Sequence, residues 1–118
     1  MKIAIIGSRS ITVSNIESYV TDCTEIVSGG AAGIDSCAAE FARKSKIKLT
    51  EFLPEYERYG KAAPIIRNKK IVDYSDMVIV FWNGTSKGTL SVIKYAEKQK
   101  KPLKIFTLAE GQNDNIFK

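Results

Sequence analysis

The chain has 118 residues, 44% hydrophobic and 26% charged, the proportions of one globular domain and not of a disordered or fibrous chain. No apolar run approaches the ~20 residues of a membrane span, and the opening Met1-Lys2-Ile3-Ala4-Ile5-Ile6 is shorter than a signal core, so a cytoplasmic location without a membrane partner is expected. A net charge of +5 suits an anionic partner, the lack of histidine removes the commonest general base and metal ligand, and Cys23 and Cys37 have no metal or redox spacing, so no metal and no cofactor is assigned.

Residues 2–6 form a short apolar run, long enough for a strand buried on both faces. Gly7-Ser8-Arg9-Ser10 ends it. Ser14-Asn15-Ile16-Glu17 fits a capping box, with serine at the N-cap and glutamate at N3. It predicts a first helix with Ile16, Tyr19 and Val20 on one face, ending before Thr24. Residues 25–27 are the second strand. The run Ser28-Gly29-Gly30-Ala31-Ala32-Gly33-Ile34-Asp35 follows, a glycine turn into a helix over about residues 34–45. Residues 47–52 form the third strand, closed by Leu53-Pro54, and residues 55–60 read as loop. Pro64 suits the first turn of a third helix, which carries Ile65, Ile66, Ile71, Val72 and Tyr74 and ends near Ser75-Asp76. Residues 77–81 are the fourth strand, the most continuously apolar stretch. After the loop from Trp82 to Thr89, a fourth helix covers 89–100, with Thr89 suited to its N-cap. Pro102 breaks that helix, and residues 103–108 form the fifth strand. One domain over 1–108 is expected, followed by a polar tail, 109–118.

Five strands alternating with four helices predict an α/β fold, with an open parallel sheet and helices on both faces. Ligands of such sheets bind beyond the carboxyl ends of the strands, near the reversal of strand order. Loops 7–10, 29–35 and 83–89 all fall at that end, and a glycine turn before a helix N-terminus favours an anion. The ligand-binding candidates are therefore Gly7, Ser8, Arg9, Gly29, Gly30, Gly33, Asp35, Arg67, Asn83, Gly84, Thr85, Gly88 and Thr89. Arg9 has the fork geometry to clamp a phosphate. Lys61 and Arg67 beside the third helix, and Lys87, also suit an anion. Asp35 either complements the helix dipole or bonds a ribose hydroxyl, and it is the best candidate for a catalytic carboxylate, ahead of Glu40 and Glu55. Trp82 suits either base stacking or packing. The sequences G-x-x-x-x-G-K-[ST] and, after the first strand, G-x-G-x-x-G are both absent, which sets aside an ordinary P-loop NTPase and a standard dinucleotide dehydrogenase.

Taken together, Gly7-Ser8-Arg9, the run from Ser28 to Asp35, Tyr59-Gly60-Lys61-Ala62-Ala63, Arg67-Asn68 and Phe81-Trp82-Asn83-Gly84-Thr85-Ser86-Lys87-Gly88-Thr89 resemble the SLOG superfamily, and within it the small YspA/YpsA-related proteins. The resemblance spans residue 3 to about 105. It implies a Rossmann-like three-layer α/β/α sandwich, a nucleotide or nucleotide-derived ligand, and self-association into a homo-oligomer. The superfamily includes the LOG phosphoribohydrolases and DNA-processing protein A. The LOG enzymes carry P-G-G-x-G-T-x-x-E at the fourth loop. Here Val92 stands at the glutamate's position, and an oxocarbenium-like centre needs such a carboxylate. Relatives often have arginine where this chain has Ala32. Binding or sensing of a nucleotide-derived small molecule therefore ranks first, with enzyme status left open. Hydrolysis of a nucleotide conjugate or nucleoside monophosphate ranks second. Single-stranded nucleic acid ranks third, because no dense Lys/Arg stripe with interleaved aromatics is present.

Overall fold

A computed structural model describes residues 1–13, 15–20, 22–31 and 33–108. Ser14, Ala32 and the tail 109–118 therefore lie outside the described residues, and with them the serine of the capping box and the departure at position 32. Five strands, β1 (Lys2–Gly7), β2 (Glu25–Ser28), β3 (Lys48–Glu51), β4 (Met77–Trp82) and β5 (Leu103–Thr107), form one open sheet in the order β3-β2-β1-β4-β5. Every neighbouring pair is parallel. The α/β architecture with an open parallel sheet is thus as expected, and it is consistent with a Rossmann-like fold.

The central strands are apolar throughout because both faces are covered. On one face, Ile3, Ile5, Ile26, Ile79 and Phe81 pack beneath α1 (Ile34–Lys44), whose Ala38 and Ala42 let the helix approach closely. On the other, Ala4, Ile6, Val27, Val78 and Val80 meet Ile71 and Val72 of α3 (Ala63–Tyr74) and Val92, Ile93 and Ala96 of α4 (Lys87–Lys98). The outer strands are more polar, and Lys48 and Lys104 on them are exposed, the usual protection of open sheet edges.

Three local expectations are corrected. The first helix is absent. Among the described residues between β1 and β2 the helical structure is one 3-10 turn, Ile16–Ser18. Ile11, Val13, Ile16 and Val20 are buried there. Val13, Ile16 and Val20 keep a helical spacing, but Ile11 is buried as well, and the β-branched residues disfavour a helix. Tyr19 completes the cover, standing edge-on to Phe81 (5.0 Å) and Phe106 (4.7 Å). Secondly, residues 55–60 are not a plain loop. They hold one α-turn, α2 (Tyr56–Tyr59), followed by a 3-10 turn, Gly60–Ala62, with no buried residue in either. A turn with no apolar face to bury leaves no periodic signal. Thirdly, α4 starts two residues before Thr89. Its N-cap is Ser86, whose hydroxyl accepts from the Thr89 N–H at 3.4 Å and donates to Thr89 Oγ1 at 3.2 Å. Pro64 lies in the first turn of α3, as its fixed φ requires.

The strand order reverses between β1 and β4. That crevice, at the carboxyl end of the sheet, is where the loops meet.

Candidate functional site

The loop after β1 is fastened to the loop after β4 on one side and to that after β2 on the other. The Ser8 N–H donates to the Phe81 carbonyl (3.0 Å), and Ser8 Oγ accepts from the Asn83 N–H (3.2 Å). Asn83 Nδ2 donates to Ser10 Oγ at 3.3 Å. Asn83 Oδ1 gathers the N–H groups of Thr85 (2.9 Å) and Ser86 (2.8 Å), which turns the chain into α4. On the β2 side Gly33 has φ +71° and ψ −124°, and a Cβ there would lie 2.6 Å from the Arg9 carbonyl oxygen. Only glycine satisfies both conditions.

Arg67 reaches across from α3 and spends most of its fork on the protein. Nη1 donates to the Gly29 carbonyl (2.8 Å) and the Phe52 carbonyl (3.4 Å), and Nε donates to Asn68 Oδ1 (2.8 Å). It thereby ties the ends of β2 and β3 to α3. A Cβ at Gly29 would meet Nη1 at 2.6 Å and Asp35 Oδ2 at 3.0 Å. The guanidinium and the carboxylate thus flank one point. Asp35 is buried, and its Oδ2 accepts from the Ala31 N–H at 3.0 Å. Burial raises its pKa, against the Ala31 N–H, the Arg67 charge and the Ser28 hydroxyl, while Glu51 adds to the rise. Burial likewise lowers the Arg67 pKa, and Asp35 opposes the fall.

These groups enclose a cleft of about 420 Å³, within the range of small-molecule sites. Of the expected residues, Gly7, Ser8, Arg9, Asp35, Arg67, Asn83, Gly88 and Thr89 line it. Gly29 and Gly33 lie behind the lining, where they admit Arg67 and the Arg9 backbone. Gly30 packs against Leu53 and Glu51. Gly84 and Thr85 are exposed in the turn outside the cleft, where Thr85 bonds Asn83. Trp82 is occupied, since its Nε1 donates to the Ser86 carbonyl at 3.1 Å and its ring packs beside the core under α4.

Sequence reasoning missed Ser10, Ala31, Pro64 and Asn68 as lining residues, together with the apolar floor of Ile6 and Val92. A strand end and an inward helix face become a floor only once β1 and α4 are side by side. Ser86, the N-cap of α4, also lines the cleft.

The walls therefore offer two guanidinium groups, serine hydroxyls, two side-chain amides and the positive end of α4. Asp35 is the sole carboxylate among the described lining residues. Among the described residues no three His, Cys, Asp or Glu side chains gather as a metal ion would need, and no helix is long and apolar enough to cross a membrane.

A second hollow, about 490 Å³, lies on the opposite face between the 3-10 turn and α1. Its charged groups are Glu17, Glu40 and Lys44, and Lys44 is paired with Glu40 at 2.9 Å. Among its described lining residues Lys44 is the single cation, so it lacks the gathered positive groups of the cleft. Comparison of the chain with protein-family models, with curated proteins and with solved structures finds no match.

Proposed function

We propose that this protein binds or senses a nucleotide-derived anion in the cleft between β1 and β4, as a small Rossmann-like member of the SLOG superfamily. One observation carries the reading. Arg9, Arg67 and the first turn of α4 converge on a cleft whose single described carboxylate is already hydrogen-bonded to the protein. Donors fixed by backbone bonds before a ligand arrives lower the ordering cost of binding. The loops that carry the SLOG resemblance supply most of the lining.

The same geometry favours binding over hydrolysis. Val92, at the position of the LOG glutamate, is buried on the cleft floor. Asp35, the one carboxylate among the described lining residues, is held by Ala31 and Ser28.

The test is a thermal-shift screen with nucleoside monophosphates, cyclic nucleotides, NAD and ADP-ribose, each also assayed for breakdown by chromatography. At a hundredfold excess over Kd, a ligand that binds only the folded state adds about 2.7 kcal/mol. For a chain of this size that is a rise of roughly 10 °C. A selective shift without breakdown is expected. A shift with released base or ribose phosphate establishes the hydrolase instead, and no shift with any compound refutes the nucleotide reading.

A further inference from the structure

We infer that anion binding in the cleft is coupled to protonation of Asp35, so that the protein holds its ligand more tightly as pH falls. This inference rests on the anionic-ligand reading above and deepens it.

Arg67 is one cation that serves two negative groups, Asp35 and the ligand. Arg67 cannot swing away from Asp35, because its Nη1 and Nε are fixed by the carbonyls of Gly29 and Phe52 and by Asn68. Asp35 and Arg67 both line the cleft, and Asp35 Oδ2 and Arg67 Nη1 flank one point above Gly29, 3.0 and 2.6 Å from it. An anion that enters meets Arg67 already partly neutralised, and it meets a like charge at Asp35. Two negative groups in one poorly hydrated site disfavour each other's ionisation.

The remaining neighbours of Asp35 do not cancel that conflict. The end of β2 gives the Ser28 hydroxyl, the loop after it the Ala31 N–H, and α3 contributes Arg67. From β3 comes Glu51, which pushes in the same direction as an incoming anion. Arg9, from the loop after β1, acts on Arg67 as a second positive charge and is exposed.

Protonation resolves the conflict without dismantling the loop. A neutral carboxyl keeps an oxygen that accepts from Ala31, gives up its negative charge, and leaves the whole Arg67 charge to the ligand. Burial already favours the neutral form. Linkage is reciprocal. If the anion favours the protonated acid, the protonated acid favours the anion by the same factor.

Sulfate is the probe, because its charge does not change between pH 5 and pH 8. Calorimetry on the full chain should show affinity rising as pH falls, by at most about tenfold per pH unit, the limit for one linked proton. Calorimetry in buffers of different ionisation enthalpy should show proton uptake on binding. Asp35→Asn should bind sulfate at pH 7.5 at least as tightly as the unmodified protein does at pH 5, with no pH slope. The carboxyl carbon resonance of Asp35 in the unmodified protein should titrate at higher pH with sulfate present. That measurement stands even if the variant fails to fold. Equal slopes in the two proteins, or an Asp35 titration indifferent to sulfate, overturn the proton link and leave the anion site intact. No sulfate binding at any pH overturns both.

Discussion

Gly33 and Gly60 share nearly the same backbone conformation, φ +71° and ψ −124° against φ +56° and ψ −132°. Only their surroundings differ. At Gly33 an added methyl would collide with the Arg9 backbone, 2.6 Å from its oxygen and 2.8 Å from its Cα, whereas at Gly60 it would meet nothing within 4 Å. Alanine at either position bears the conformational penalty, on the order of 1–3 kcal/mol. At Gly33 it adds an overpacking cost of about 1–3 kcal/mol, because the obstacle is backbone and not the tip of a flexible side chain. Gly60→Ala should therefore cost ~2 kcal/mol and Gly33→Ala ~4 kcal/mol. Urea titration followed by far-UV circular dichroism measures both, provided the slope m is unchanged. The difference between the variants isolates the contact that seats Arg9 beside the loop after β2. If the two costs agree within 0.5 kcal/mol, an error scale typical of such comparisons, the close approach of these loops is not a constraint on the fold.

Two further predictions concern charge. Asn83→Asp keeps the oxygen that gathers the Thr85 and Ser86 N–H groups but places a negative charge in the cleft lining and gives up the amide bond to Ser10. Stability should change by less than about 1 kcal/mol, while sulfate affinity at pH 7.5 should fall by up to about fivefold, the factor that corresponds to about 1 kcal/mol for one exposed charge interaction. Unchanged affinity would remove Asn83 from the site. Glu25, at the opposite end of the sheet, accepts from the hydroxyls of Thr50 and Tyr74, both at 2.6 Å. The Thr50 bond first, then Tyr74 and Lys48, lower its pKa below the usual 4.5. A folded-state pKa below the unfolded one means stability that is present above about pH 4.5 and lost as pH falls through the folded value. Glu25→Gln should cost about 1–2 kcal/mol at pH 7, and the cost should shrink steadily below pH 4.5. A penalty that stays constant down to pH 2 would show that the charge is irrelevant to those bonds.

The sheet was legible because parallel strands covered on both faces are written as uninterrupted apolar runs. Residues 2–6 and 77–81 differ from β1 and β4 by one residue at the carboxyl end. The direction of the strands then placed Gly7, Asp35, Asn83 and Gly88 at one edge without any knowledge of side-chain positions. The first helix was misread because Ser14 to Glu17 carries a local capping pattern, whereas burial of Ile11, Val13, Ile16 and Val20 is a tertiary demand. The inward direction of Arg67 was equally hidden. Its neighbours in sequence do not reveal that it bonds the carbonyls of Gly29 and Phe52, far away along the chain. Val92 was recognisable from its place in the fourth-loop pattern, but its position on the cleft floor depends on α4 lying beside β1.

The strand order has a consequence for how the protein is made. β1 leaves the ribosome before the other strands of the sheet, yet it ends between β2 and β4. Its first partner is complete by residue 28, and its second begins only at residue 77. Throughout that interval the edge of β1 that will pair with β4 keeps its backbone N–H and C=O groups without a strand partner, while Ile3 and Ile5 on one face and Ile6 on the other make the strand apolar. An unpaired apolar strand edge is a template for another copy of the same chain. A translation product stopped before β4 would therefore be a sticky species, and a chaperone that shields the amino-terminal segment would act on it before the rest of the sheet exists.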